Sequence, residues 1–105
     1  MTKKETSNNE VRKNIEEVTQ DVKIEFPVTF NLKAVIGTAN TDNENMINLS
    51  AVFDSLKVSN SYIGNKKSSK GTYVSYNYSV TLQDKPQLEK LYSDLKNVPG
   101  LKFAL

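Results

Sequence analysis

Residues 72–82 alternate without a break between two kinds of side chain. Val74, Tyr76, Tyr78, Val80 and Leu82 fall on one phase, and Tyr73, Ser75, Asn77, Ser79 and Thr81 on the other. Side chains of a strand point to opposite faces in turn, so this segment is a strand with one buried and one solvated face. Its β-branched and aromatic residues suit a pleated, half-buried surface. The fold must therefore supply a sheet that is covered on one side only.

A second segment has the same character. Val28, Phe30, Leu32, Ala34 and Ile36 alternate with Thr29, Asn31, Lys33 and Val35, and Gly37 ends the run. Residues 38–45 read as a polar loop, with Asp42 or a neighbour capping the helix that follows. Met46, Leu49, Phe53 and Leu56 share one face of that helix, with Ile47 and Val52 on its flanks. Residues 58–64 are a weaker strand, whose period fits either a Val58/Asn60/Tyr62 or a Ser59/Ser61/Ile63 face. Residues 65–71 form a basic, serine-bearing turn. Asp84 caps a second helix with Pro86 in its first turn, where the missing N–H costs nothing, and Gln87 completes a box-like start. Leu88, Leu91, Tyr92 and Leu95 are its apolar stripe, and Val98-Pro99-Gly100 stops it. Leu101, Phe103 and Leu105 alternate in a short last strand.

The order strand, helix, strand, strand, helix, strand predicts an α+β domain of the ferredoxin-like βαββαβ kind. It is a four-stranded antiparallel sheet with two helices on one face. Right-handed crossovers put strand three between strands one and two, and strand four on the free side of strand one. A chain of 105 residues has room for one such domain and no deep cleft. Only 37% of it is apolar, which assigns residues 1–21 to a polar tail and residues 22–105 to the domain. Within the tail, Ser7 and Glu10 fit a capping box, and Val11, Ile15, Val18 and Val22 recur at helical spacing.

Several short motifs stand out: Phe26-Pro27, Phe30, the run Lys33-Ala34-Val35-Ile36-Gly37, the run from Ser68 through Lys70, Gly71 and Tyr73 to Ser75, and Leu91-Tyr92 ahead of a short hydrophobic strand. Together they resemble the YbeD-like family, a bacterial domain of unknown function. The resemblance spans about residues 24–105. It implies a ferredoxin-like fold similar to ACT regulatory domains, which bind small molecules such as amino acids and control enzymes. The family's own ligand and partner are not established. In ACT domains the ligand sits at the loop after strand one, and here the segment after Gly37 departs from the pattern.

The chain has no cysteine and no histidine, and its formal charge is +2. Thiolate chemistry, disulfides and histidine-based acid–base catalysis are thereby excluded, and no serine triad can be built. No catalytic residue, metal site or cofactor is assigned, and the expectation is a binding or regulatory module rather than an enzyme. No apolar run approaches the roughly 18 residues of a membrane helix, and a cytoplasmic protein is expected. A structural or oligomerisation domain, such as a homodimer, is the first alternative, and RNA binding through the open sheet face is the second.

The candidate binding surface is the open face of the sheet, with Asn31 and Lys33 from strand one and Tyr73, Ser75 and Asn77 from strand three. Lys66, Lys67, Lys70 and Gly71 adjoin it at the turn, either as an anion cradle or as a solvated tip. The partner is expected to be a protein or a small molecule, and an anionic group on it would be met from face and tip together. The run Lys70-Gly71-x-Tyr73-Val74-x-Tyr76 is similar in spacing to an RNA-recognition motif. RNA-binding sheets of this fold stack bases on two or three aromatics, and this phase leaves only Tyr73 on the open face. The sequence thus argues against nucleic acid. Residues 42–45, Asp-Asn-Glu-Asn, lack calcium-loop spacing and read as helix-capping residues.

Overall fold

A computed structural model of the chain describes residues 24–105. The elements are β1 (Val28–Gly37), α1 (Asp42–Ser55), β2 (Ser59–Lys67), β3 (Tyr73–Leu82), α2 (Lys85–Leu95) and β4 (Leu101–Ala104). The sheet is antiparallel with strand order β2-β3-β1-β4, the predicted arrangement. The capping box and valine stripe of the tail lie outside the described residues.

The two alternating segments are the central pair. β1 and β3 run in register from Val28 opposite Leu82 to Gly37 opposite Tyr73. Because opposed residues share a face, Phe30, Leu32, Ala34 and Ile36 lie with Val80, Tyr78, Tyr76 and Val74. That face joins Leu49 and Phe53 of α1 and Leu88, Leu91 and Leu95 of α2 in one buried core. Phe53 meets Tyr78 edge-on at 5.0 Å between ring centroids, and Tyr78 meets Tyr62 in the same way at 5.3 Å.

The cap of helix α1, expected at Asp42 or a neighbour, falls at Asp42's neighbour. Thr41 is its cap: the Glu44 N–H donates to Thr41 Oγ1 at 3.1 Å, and the Thr41 N–H donates to Glu44 Oε1 at 2.8 Å. The predicted loop over residues 38–45 is therefore only a short link, and Asp42 to Asn45 form the first helical turn. The helix ends at Ser55 with Leu56 as its cap; Lys57, just beyond, takes a positive φ of 58°, and the Val58 N–H reaches back to the Phe53 carbonyl at 2.8 Å. At α2 the predicted start holds. The Gln87 N–H donates to Asp84 at 2.9 Å, and Gln87 Nε2 donates to the Leu56 carbonyl at 3.0 Å, tying the two helices together.

Gly100 turns the chain from α2 into β4 with φ +80°, and its carbonyl accepts the Gly37 N–H at 2.9 Å. A Cβ there would stand 3.3 Å from Ile36 Cγ2, so both the backbone and the space favour glycine.

One polar group is buried in the core. Asn45 is fully buried and its amide donates to the Tyr76 hydroxyl at 3.2 Å; that hydroxyl in turn donates to Asp42. Burial, followed by the hydrogen bond to Asp42, pushes the Tyr76 phenol up to about 12. Burial alone pushes Tyr92 up to about 12. Both tyrosines hold their protons more tightly folded than unfolded. Their contribution is thus intact below the ordinary tyrosine value near 10 and is lost as pH rises toward 12. Denaturant melts across that range are expected to show falling stability, together with late-titrating tyrosine absorbance near 295 nm. Tyr76→Phe, which strips Asn45 of its partner, is expected to cost about 1–3 kcal/mol at neutral pH and to lessen the alkaline fall. A flat profile from pH 10 to 12 contradicts this account of the network.

Candidate functional site

Among the described residues the helices cover one face of the sheet and leave the other open, and the register fixes what stands on it. Along β1 the outward residues are Thr29, Asn31, Lys33, Val35 and Gly37. Opposite them on β3 stand Thr81, Ser79, Asn77, Ser75 and Tyr73. All five face residues expected from the sequence, Asn31, Lys33, Tyr73, Ser75 and Asn77, are therefore brought together. Two cross-strand bonds knit the face, one near its Val28 end and one toward its middle. Thr29 and Thr81 share a hydroxyl bond at 2.8 Å, and Asn31 Nδ2 donates to Asn77 Oδ1 at 3.2 Å.

The basic turn is placed differently from expectation. β2 runs on through Lys67, so Lys66 and Lys67 are strand residues. Lys66 lies opposite Ser75 and joins the open face, where Ser75 Oγ donates to the Lys66 carbonyl at 3.3 Å. Lys67 lies opposite Val74 and takes the helix side instead. Only Lys70 and Gly71 belong to the turn, Gly71 with the positive φ of 73° that such a turn requires. Three of the backbone amides that an anion cradle at the turn would draw on are engaged within it. The Gly71 N–H donates to the Ser68 carbonyl at 2.9 Å, the Ser68 N–H to the Tyr73 carbonyl at 2.8 Å, and the Tyr73 N–H to Ser68 Oγ at 3.1 Å.

Strand β4 adds what sequence reasoning missed. Its period suggests that Leu101, Phe103 and Leu105 share one face. A register irregularity at Lys102 breaks that period: Leu101 stands opposite Ile36 on the core side, and Phe103 stands opposite Val35 on the open side. Leu105 exchanges both backbone bonds with Lys33, at 3.0 and 2.9 Å, and so lies on the open side too. The Lys102 ammonium sits 5.6 Å from the centroid of the Tyr73 ring, across the Gly37 end of β1, where no side chain intervenes. One end of the face thus carries Tyr73, Val35, Phe103 and Leu105, with Phe103 46% and Tyr73 37% exposed. The one sequence signal for this patch was Val35, the sole apolar residue on β1's outward phase.

Charge is segregated in the same sense. The strands hold Lys33, Lys66, Lys67 and Lys102 and no aspartate or glutamate. The described carboxylates lie on or beside the helices, except Glu25 ahead of β1. The ion pairs among the described residues, Lys85–Glu89 at 3.9 Å and Lys90–Asp94 at 3.1 Å, are both within α2. No group of metal-ligating side chains is found among the described residues, and no described helix is long and apolar enough to cross a membrane.

Comparison with known proteins gives one family and one fold. Residues 21–105 match the model of a protein family of unknown function, DUF493. A UPF0250 protein of Shewanella piezotolerans is 36% identical over 85 residues, covering 81% of this chain and 93% of the relative. Another, from Shewanella woodyi, is 38% identical over 86 residues with the same coverage. The solution structure of protein HP0495 from H. pylori superimposes with a TM-score of 0.61 over 85% of this chain and 92% of that one. At 11% identity that likeness speaks for the fold alone.

The half-exposed patch is expected to contribute little to folding. Phe103→Ala and Leu105→Ala should each cost no more than about 1 kcal/mol in urea melts, as exposed sites do. Leu32→Ala and Leu91→Ala, in the core, should cost about 2–5 kcal/mol. Equal costs at Phe103 and Leu91 would make β4's outward side a packing surface instead.

Proposed function

The chain belongs to the DUF493 family of proteins of unknown function, and we propose that it is a small non-catalytic module that binds an anionic partner on the open face of its sheet. The observation that carries this reading is the face itself. Lys33, Lys66 and Lys102 surround Ser75 and Val35, beside an uncovered aromatic and aliphatic patch, and no strand supplies a balancing carboxylate. Absence of histidine and cysteine from the sequence supports a role in binding rather than catalysis.

Regulation of another protein, in the manner the resemblance to ACT domains implies, is compatible with such a face. The ACT-like loop site has less support. The link after Gly37 is short, Thr38 Oγ1 donates to the Gly71 carbonyl at 3.0 Å, and the N-terminus of α1 is closed by its own capping box. Asp42 and Glu44 in the first turn would repel the carboxylate of an amino acid. A structural homodimer through the open face also has less support, since it would set the lysines of one copy against those of the other.

The test compares full-length wild type with Tyr73→Ala, Lys33→Glu and, as a control on the outer side of α1, Asp54→Lys. All are expected to melt within a few degrees of one another. Affinity capture from the native cell, with the bound species identified, should give a partner retained by wild type and the control but reduced at least several-fold by the two face variants. Equal capture by all four proteins would move the site off the sheet.

A further inference from the structure

We infer that the anionic partner of the open face is single-stranded nucleic acid. This rests on the reading of that face as the binding surface and goes on to name its ligand class. The sequence argued against it because only one aromatic was assigned to the face. The register of β4 removes that objection by adding Phe103.

Three features of the face fit a chain of flat rings joined by negative links. Tyr73 on β3 and Phe103 on β4 are separated by the width of β1, so their rings stand about 10 Å or more apart, given a strand spacing near 4.8 Å. Both rings are substantially exposed, and exposed aromatic rings on a sheet serve as stacking platforms for bases. The Lys102 ammonium rests on the Tyr73 ring, and Lys33 and Lys66 stand on the neighbouring rows, so positive charge lies beside and between the platforms. The Asn31–Asn77 pair uses one amide proton and one carbonyl oxygen. The remaining donors and acceptors of the two amides, with the Ser79 hydroxyl, are left for base edges.

Other anionic polymers fit less well. An acidic peptide would dock by adding a strand to an edge or by laying a helix in an apolar groove. β4 is four residues long and irregular at Lys102, and β2 is irregular at Ile63 and carries lysines at its end. The apolar residues of the face are gathered at one end and form no groove along it.

Fluorescence anisotropy of the full-length protein with labelled oligouridylate and oligothymidylate of about 12 nucleotides tests the proposal, with labelled polyglutamate of similar charge as the control. Binding of the oligonucleotides is expected at low salt. With three lysine contacts at about 0.7 per contact on a log–log scale, a fourfold rise in salt should weaken it roughly twentyfold. Phe103→Leu and Tyr73→Leu keep apolar bulk but remove the ring, and each should lose roughly tenfold in affinity. Lys33→Gln, at an exposed position, should weaken binding and flatten the salt slope by about 0.7. The proposal is overturned if the oligonucleotides do not bind. It is also overturned if polyglutamate binds as tightly and the two leucine variants keep full affinity. Binding of polyglutamate alone, lost in Lys33→Gln, would remove nucleic acid as the ligand yet leave the open face as the binding surface.

Discussion

The fold depends on one ten-residue pairing. β1 and β3 run side by side from Val28 and Leu82 to Gly37 and Tyr73 without a slip. With a side-chain period of two, that register puts apolar side chains on one side and mostly polar ones on the other, and a shift of one residue would invert both. Everything else is attached to this pair. The helices cover the apolar side, and β2 and β4 extend it at the edges, each with one irregularity. The inner side supplies the burial that stabilises the domain, and the outer side is left to meet solvent or a partner.

Within the core, the polar exception is tied to the same pair. Tyr76 is opposite Ala34, a small neighbour, and its hydroxyl extends to the first turn of α1 to meet Asn45 and Asp42. A buried hydroxyl without partners would cost more than it contributes, so this contact fixes where the helix begins as well as how it packs. Among the described residues Asn45 Oδ1 has no hydrogen-bond partner.

Legibility in the sequence followed the regularity of the backbone. Where strands are unbroken, alternation assigned faces correctly: Asn31, Lys33, Tyr73, Ser75 and Asn77 are all on the open side. Where strands bulge, it could not. The irregularity at Lys102 separates Leu101 from Phe103, and the one at Ile63 puts both Tyr62 and Asn65 on the helix side, a spacing that no period of two predicts. Likewise the polar run from Asp42 to Asn45 looks like a loop, because the first turn of a helix is rich in the same residues that make turns. Only the partner across the fold, Tyr76, reveals that Asn45 is interior. The family likeness drawn from short motifs in the sequence was sound over the domain, and it carried no site because the family's function is unknown.

The sorting of charge between layers has a consequence at distances beyond any contact. On and beside the helices, six carboxylates face four lysines, whereas the strands and the β2–β3 turn hold only lysines. The charges of the described residues therefore make an electric dipole directed across the domain, from helices to sheet. In the field of a polyanion such a molecule experiences a torque, and it turns its sheet forward within a Debye length, before the surfaces touch. The orienting effect reaches about as far as the Debye length, so it weakens as salt is added.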